Sequence, residues 1–358
     1  MIFNSSGRFI KESFHIKGER LEPVDTFCYL GFEVKPSGTT THGSSILLDK
    51  SLKALRPLQR AIANFQLPLD LSIKLFHTLI EPIAMYNVEN WSILTKKQLE
   101  NLNVDTMSDF IDKSALDTMH RKLLRYILGV NNSSPNLALY GDTGEIPLTI
   151  KGFTLMVNFW HHVSELPETS FASLALKENI EIRTNWIKTI EKIINIFNLA
   201  QHADSPTFRF TSKKIGRDFY RAKWEEVIRG CEYSRLNFYK QIKTDWAPAS
   251  YTNLPYYQRK VIAKLRCSSH SLEIEKGRHK RPQPIAQDRL CLLCQEAAIE
   301  NETHFLSACE KYSTLRIKHG YAMKTPHEMM NEEDQRNLSI FLSKCFRLRQ
   351  KTLDGNSA

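Results

Sequence analysis

Several features that define common protein classes are missing from this chain of 358 residues. No stretch approaches the roughly 18 consecutive apolar residues that a membrane-spanning helix requires, and the mean hydropathy is −0.37. The N-terminal sequence has no cationic region followed by an apolar one, so it does not resemble a signal peptide. We therefore expect an intracellular protein with no membrane partner, in the nucleus or the cytoplasm.

The motifs of common enzymes are missing as well. The chain has no Gly-x-Ser-x-Gly, no Walker-type Gly-Lys-Thr/Ser, no His-Glu-x-x-His and no adjacent pair of aspartates. The acidic segment from Gly141 to Glu145 has the composition of a turn rather than of a metal-binding loop. The sequence therefore predicts no catalytic residues.

Cysteine is present, but its pattern does not predict a disulfide framework. The count is odd, at seven, and four of the cysteines are scattered singly, at positions 28, 231, 267 and 345. Such a distribution favours a reducing compartment and a local metal site.

The other three cysteines belong to the most specific motif of the chain. Cys291 and Cys294 are two residues apart, His304 follows after nine residues, and Cys309 follows after four more. Two thiolates at this spacing can bind one ion from a tight turn, and a histidine and a cysteine can complete a tetrahedron. We predict a structural Zn²⁺ site, since the set has no carboxylate and no open position. The alternative is that the four residues are incidental to a Leu-rich helix.

Basic residues are concentrated in two segments. Residues 259–281 have a net charge of +6 and residues 207–223 of +5, which together exceed the net charge of +10 of the whole chain. This concentration predicts a polyanionic partner such as nucleic acid; the alternative is a solvated surface. Tyr256, Tyr257 and Phe305 lie near the first segment and are candidates for base stacking. The predicted phosphate contacts are Lys213, Lys214, Arg217, Arg259, Lys260, Lys264, Arg266, Lys276, Arg278, Lys280 and Arg281.

Hydrophobic spacing predicts a mainly α chain with a short N-terminal β hairpin. Alternation in Phe14–Ile16 and an aromatic run in Phe27–Phe32 indicate strands, whereas apolar residues farther on recur at helical spacing, and residues 180–199 are predicted as one helix. We predict a hairpin region at 1–43, a helical bundle at 44–135, a helical connecting region at 136–205, and a basic domain at 206–358 that contains the zinc motif at 291–309.

An ordered series of segments carries a family resemblance. The series consists of Met1–Gly7, Phe27–Gly31, Lys74–Ile83 with Tyr86 and Trp91, Tyr126–Val130, Gly141–Leu148, and the region from Lys264 through the three cysteines and His304. In this order the segments resemble the C-terminal portion of the reverse transcriptase of non-long-terminal-repeat (LINE-type) retrotransposons.

The resemblance implies a role for each segment. Residues 1–43 would be the end of the palm, and Phe27, Tyr29, Leu30 and Gly31 would belong to the hairpin called the primer grip. Residues 44–135 would be thumb-like, and the C-terminal domain would be the zinc region of the family. The implied partner is RNA or an RNA–DNA hybrid.

Two departures from the family limit what the resemblance implies. The family's polymerase carboxylates belong to an aromatic-Ala-Asp-Asp strand and another upstream Asp, none of which this chain contains, and the two-metal mechanism needs those carboxylates. Asn87 also stands where the family usually has Gly after the thumb tyrosine.

Three interpretations therefore stay open. The first is a nucleic-acid-binding, non-enzymatic fragment. The second is a host-adopted or inert remnant that acts as a zinc-supported protein-interaction module. The third is an active reverse transcriptase, if the true chain extends upstream of Met1 or if a palm is supplied in trans.

Overall fold

A computed structural model describes residues 1–4, 6–12, 14–90, 94, 96–230 and 234–355. Trp91 and Cys231, which the sequence analysis singles out, lie outside the described residues. The described chain is mostly helical and starts with short strands, which confirms the predicted mainly α fold. None of the described helices combines the length and the apolar character that crossing a bilayer requires.

The strands form two separate antiparallel hairpins instead of one. β1 (Phe14–Ile16) pairs with β2 (Glu19–Leu21), and β3 (Phe27–Tyr29) pairs with β4 (Phe32–Val34), with Tyr29 opposite Phe32. Leu30 and Gly31 form the two-residue turn of the second hairpin, with φ angles of 48° and 84°. Positive φ at both central residues is typical of the turns whose twist matches a hairpin.

The helices follow the hairpins along the chain. They are α1 (Thr41–Asn64), α2 (Leu69–Leu79), α3 (Glu81–Ala84), α4 (Lys96–Asn101), α5 (Met107–Lys113), α6 (Ala115–Leu128), α7 (Asn136–Thr143), α8 (Leu148–Ser164), α9 (Phe171–Glu181), α10 (Asn185–Ile196), α11 (Phe208–Gly230), α12 (Asn237–Ile242), α13 (Tyr256–Arg266), α14 (Glu273–Lys276), α15 (Ser313–Lys318), α16 (Pro326–Met330) and α17 (Gln335–Gly355). Short 3₁₀ turns occur at Ala200–His202, Ser234–Leu236, Ser250–Asn253, Gly277–His279, Ala286–Asp288 and Glu310–Tyr312, and a π-helical turn occurs at His304–Ala308.

The chain divides into two compact units, each assembled from separated segments. The first unit comprises Met1–Arg56, Leu75–His120 and Pro147–Phe219, and the second comprises Pro57–Lys74, Arg121–Ile146 and Tyr220–Ala358. These units cut across the four segments predicted from the sequence, and that division of the chain stays a prediction.

In the first unit, α8 is held by contacts at both of its ends. The carboxylate of Asp117 accepts hydrogen bonds from the backbone N–H groups of Leu148 at 2.7 Å and Thr149 at 3.4 Å, which satisfies donors at the start of α8. Farther along, Val163 packs with Leu176 of α9 and Ile187 of α10 in a small apolar cluster. The first turn of α8 is thus fixed by polar contacts and its C-terminal half by apolar ones.

The helix predicted over residues 180–199 is confirmed only over Asn185–Ile196, because residues 180 and 181 belong to the preceding helix. The chain forms two helices, α9 and α10, because Arg183 has a left-handed φ of 50° and Thr184 caps α10 by accepting a hydrogen bond from the N–H of Ile187. The predicted turn at Gly141–Glu145 is also corrected, since Gly141–Thr143 ends α7 and Gly144 follows it with a φ of 70°. Glycine is required at 141, since a Cβ would lie 2.4 Å from the ring of Trp224.

The interior of the second unit contains an ion pair between α7 and α13. Arg266 Nε and Nη2 donate to the two carboxylate oxygens of Asp142, at 2.8 and 2.9 Å, and both side chains are buried. The hydroxyls of Tyr251 and Tyr239 donate to the same carboxylate, at 2.7 and 3.1 Å. Burial alone raises the pKa of Asp142, but the charge and hydrogen bonds of Arg266 outweigh this effect, and the pKa falls below its ordinary value of 3.8.

We expect Asp142→Asn to destabilise the second unit by about 3–5 kcal/mol, because it leaves the Arg266 guanidinium buried without a counter-charge. Denaturant unfolding followed by circular dichroism measures the loss, with exposed Asp288→Asn as the matched control. Since the folded pKa of Asp142 is lowered from 3.8, its contribution is present above that value and disappears as the pH falls through the lowered pKa. The difference between the two proteins should therefore shrink in acid, and a constant difference would contradict this assignment.

Candidate metal centre

The first two cysteines lie in a short loop closed by backbone contacts. Leu290 and Ile299 form an isolated antiparallel bridge, and the N–H of Cys291 donates to the carbonyl of Ala298 at 2.8 Å. Ala297 turns the chain with a φ of 50°. The bridge brings the two ends of the loop together, so Cys291 and Cys294 are held on one compact turn.

The other two ligand candidates lie at the two ends of a single π-helical turn. His304 begins this turn, its N–H donates to Asn301 Oδ1 at 2.8 Å, and the N–H of Cys309 donates back to the His304 carbonyl at 2.8 Å. Turns of this kind are rare in proteins, and many of those that do occur lie at functional sites. The wide turn places the imidazole and the last thiol on the same side of the chain.

The four candidate ligand atoms converge on one another. They all lie within 4.8 Å of one another, with Cys291 Sγ 4.0 Å from Cys309 Sγ and Cys294 Sγ 3.4 Å from His304 Nε2. Zn–S bonds of about 2.3 Å and Zn–N bonds of about 2.0 Å at tetrahedral angles place two sulfurs about 3.8 Å apart and a sulfur and a nitrogen about 3.5 Å apart. The two observed separations lie close to these values, so the cluster can hold a metal ion.

The thiols also interact with one another. A hydrogen bond with the Cys309 thiol, assisted by the N–H groups of Leu293 and Cys294, lowers the pKa of Cys291 to about 4 despite its burial. The pKa of Cys309 is raised, because it shares that hydrogen bond and is buried. Burial likewise raises the pKa of Cys294. One thiol of the cluster therefore ionises readily, whereas ionisation of the other two is unfavourable. A bound divalent cation would offset the free-energy cost of these further ionisations.

These observations confirm that Cys291, Cys294, His304 and Cys309 form one cluster that can hold a metal ion. Three sulfur donors, one imidazole and no carboxylate are the donor set of a structural zinc site rather than of a hydrolytic one. The six described cysteines are free of disulfides.

A buried ion pair supports the segment between the two ligand pairs. Glu300 lies between Cys294 and His304, and its carboxylate accepts from Arg349 of α17 at 2.8 and 2.6 Å. The same carboxylate accepts from the N–H of Glu273 at 2.7 Å, and the Glu300 carbonyl accepts from the N–H of Ile274 at 3.1 Å. Glu300 thus connects the metal loop to α14 and to the last helix. Sequence reasoning missed Glu300 and Arg349. Arg349 could have been noticed, because it is a charged residue on the apolar stripe of α17.

Of the predicted phosphate contacts in the second unit, two lie in the interior. Arg266 is bound to Asp142, and Arg259 donates to the carbonyls of Ile127 at 2.7 Å and Leu67 at 2.6 Å. Both are buried. Arg259 Nη2 has no hydrogen-bond partner among the described residues, but it is buried as well. The prediction that these two guanidinium groups meet phosphate therefore does not fit this conformation.

The remaining basic residues of the second unit are accessible to different degrees. Lys276, Lys280 and Arg281 are exposed, whereas Lys260, Lys264 and Arg278 are half-buried. Two of the six are paired with carboxylates: Lys280 with Glu273 at 2.6 Å and Arg278 with Glu275 at 2.8 Å. Burial and the neighbouring Lys260 lower the pKa of Lys264. Of the predicted stacking residues, Tyr257 is exposed, whereas Tyr256 and Phe305 are buried.

The basic residues predicted at 213, 214 and 217 are exposed on α11. Arg209 and Arg221 lie on the same face at four-residue intervals from Lys213 and Arg217. Arg221 is paired with Glu225 at 3.1 Å. In the described part of the chain, no carboxylate forms an ion pair with Arg209, Lys213, Lys214 or Arg217.

The residues that resemble a primer grip lie in β3 and in the turn of the second hairpin. Phe27, at the open end of the hairpin, and Tyr29 and Leu30, next to Gly31 at the turn, are exposed. Tyr86 donates its hydroxyl to the Leu30 carbonyl. The next residue, Asn87, has a φ of 58°. Asparagine tolerates this left-handed conformation better than other non-glycine residues, so Asn87 suits this turn.

Comparison of the chain with models of protein families, with curated proteins and with solved structures found no match. The resemblance to a retrotransposon reverse transcriptase therefore stays a prediction, and the metal centre is interpreted from its own geometry.

We expect Cys294→Ser to lose the bound metal and to loosen the C-terminal region, because an alcohol is a poor Zn²⁺ ligand and the other thiols cannot complete the tetrahedron. Zinc content by mass spectrometry should fall from one ion per chain to near zero, and limited proteolysis should cut between residues 270 and 310. Cys28→Ser, at an exposed position outside the cluster, is the control. One retained zinc ion in Cys294→Ser would disprove the assignment.

Proposed function

We propose that this chain binds single-stranded nucleic acid or an RNA–DNA hybrid without catalysing a reaction, and that a zinc ion at Cys291, Cys294, His304 and Cys309 organises its C-terminal binding surface. The observation that carries the proposal is the attachment of a basic segment, residues 276–281, to the loop that contains the metal ligands. Folding of the loop and placement of the basic side chains are thereby linked.

The attachment consists of three hydrogen bonds. Glu300 accepts from the N–H groups of Glu273 and Ile274, and Arg289 Nη1 donates to the Ile274 carbonyl at 2.7 Å. Glu273 and Ile274 begin α14, which leads directly into the basic segment. A zinc ion that folds residues 289–309 would therefore also fix where the basic side chains point, and structural zinc sites contribute roughly 10 kcal/mol or more to the folding of small domains.

The charges that face solvent support a polyanionic partner. Lys276 and Arg281 are exposed, and no carboxylate among the described residues forms an ion pair with either. Unpaired, exposed cations gain the most from phosphate, because contact with phosphate releases condensed counterions and requires no protein ion pair to break. Tyr257, which is 64 % exposed at the start of α13, is available for base stacking.

We also propose that the chain descends from the C-terminal portion of a LINE-type reverse transcriptase. The resemblance of its segments, in order, supports this proposal. Sequencing of the transcript upstream of Met1 tests it: an open reading frame with the aromatic-Ala-Asp-Asp strand would support this descent, and polymerase activity would then be a property of the longer protein. An unrelated upstream reading frame would count against this descent.

Binding to nucleic acid should be steeply salt-dependent and should require zinc. We expect fluorescence anisotropy with a labelled single-stranded RNA to show an affinity that falls steadily between about 50 and 200 mM salt, and a zinc chelator to abolish the contribution of the C-terminal surface. Absence of binding at low salt would refute the function. A protein partner retained at high salt would instead favour a zinc-supported protein-interaction module.

The double substitution Lys276→Gln, Arg281→Gln should weaken binding about equally for all sequences, because phosphate contacts carry no sequence information. Each phosphate contact on a single strand contributes about 0.7 to the slope of log K against log salt, so the slope should fall by about 1.4. The matched control is Lys311→Gln, Lys318→Gln, which removes two exposed lysines farther along the chain. An unchanged slope in the first variant would exclude these two residues from the interface.

A further inference from the structure

The part of α11 that belongs to the first unit, residues 208–219, packs against α8 along one side. Ser212 Oγ donates to Asn158 Oδ1 of α8 at 2.6 Å, and a Cβ at Gly216 would lie 2.7 Å from the methyl group of Thr154, also in α8. Phe208 is buried on the same side. These buried positions recur every four residues, so the opposite side of this part of the helix is left in solvent.

A large aromatic side chain lies on the solvent-facing side. Phe210 is 72 % exposed. A helix turns by about 100° per residue, so Phe210 is on nearly the opposite side of α11 from Phe208. One exposed apolar side chain is ordinary on a protein surface and by itself indicates no function. What distinguishes Phe210 is the charge of its neighbours.

Cations lie next to this ring on the surface of the helix. Lys213 and Lys214 follow Phe210 after one turn, within about 60° of it around the helix axis. Arg217 follows after two turns, within about 20°. All three cations are exposed, and none forms an ion pair with a described carboxylate. The one acidic residue in this part of the helix, Asp218, lies about 80° to the side of Phe210. The ring is therefore part of a basic surface.

This combination fits unpaired nucleic acid better than other polyanions. Proteins that bind single strands combine cations along the backbone with aromatic side chains on which bases stack. In a duplex, neighbouring bases cover these faces, and a base must leave the stack to become accessible. A helix that lies on a membrane inserts a broad apolar face, whereas in residues 208–219 the only large apolar side chain that is exposed is Phe210.

We propose that Phe210 stacks on one base of a single-stranded nucleic acid and that the cations beside it bind the adjacent phosphates. These cations are Lys213, Lys214 and Arg217. They follow the ring over about 10 Å along the helix axis, so the strand would run along α11. The inference rests on the proposed function and adds to it a second binding surface, in the unit that lacks the metal ligands.

Substitution of Phe210 separates stacking from charge. The probe is a labelled oligouridine of about eight nucleotides, and fluorescence anisotropy with the full chain measures its affinity across a salt series. We expect Phe210→Leu to weaken binding about 10-fold without changing the slope of log K against log salt, because stacking is lost and every cation remains. Phe210→Tyr should restore the affinity. Lys214→Gln should instead lower the slope by about 0.7, because one phosphate contact is lost.

The matched control is Phe171→Leu, which changes a phenylalanine of α9 that is 92 % exposed in the same unit. It should alter neither the affinity nor the slope. The loss caused by Phe210→Leu should persist after a chelator has removed zinc, because Phe210 belongs to the unit without the metal ligands.

The possible results separate this inference from the proposed function. Equal affinities of Phe210→Leu and Phe171→Leu, with strand binding retained, would overturn the stacking surface and leave the function intact. An equal loss of affinity for a duplex of the same length would overturn it as well, since the ring would then not require unpaired bases. Absence of strand binding to the unaltered chain would overturn both. Phe210-dependent binding to vesicles of anionic phospholipid without strand binding would make the surface a membrane contact and so contradict the inference.

Discussion

The buried pair between Glu300 and Arg349 is the interaction on which the C-terminal region depends. Its two hydrogen bonds, 2.6 and 2.8 Å long, connect the metal loop with the last helix, and the same carboxylate holds the start of α14. Loss of one partner would leave a charge buried without compensation, which costs far more than a surface ion pair contributes. The loop, α14 and α17 are therefore expected to order together rather than as independent pieces, and zinc binding and packing of the helix would stabilise one another.

The metal ligands could be predicted from the sequence, because their spacing is local. Cys291 and Cys294 lie on one turn, and His304 and Cys309 lie on another, so only the meeting of the two turns depends on the rest of the fold. Strands near Phe14–Ile16 and Phe27–Phe32 could be predicted from local sequence pattern for the same reason. The interruption at Arg183 could not be predicted in this way, because the hydrophobic pattern continues through residues 180–199 and only a left-handed φ of 50° interrupts the helix.

Net charge does not predict which basic residues are buried, but the position of a basic residue on its helix predicts this in part. Arg259 and Arg266 lie on the same face of α13 as Ile262, and Arg349 continues the stripe formed by Leu338, Leu342 and Cys345 in α17. A charged residue on an apolar stripe has to enter the interior and find a partner there. What the sequence does not reveal is the partner, because Asp142 and Glu300 are distant in the chain and are brought near only by tertiary packing.

Because two of its arginines are buried, the second unit offers fewer cations to a nucleic acid than its sequence suggests. Two of the eight basic residues in 259–281 are buried, and Arg278 and Lys280 are paired with carboxylates. Lys260 and Lys264 are half-buried, and Lys276 and Arg281 are exposed and form no ion pair with a described carboxylate. Three thiolates and a neutral imidazole around Zn²⁺ would add a local charge of about −1. So few phosphate contacts give weak electrostatic binding. Tight binding would therefore need either base stacking or the basic face of α11 in the first unit, where Arg209, Lys213, Lys214 and Arg217 form no ion pair with a described carboxylate.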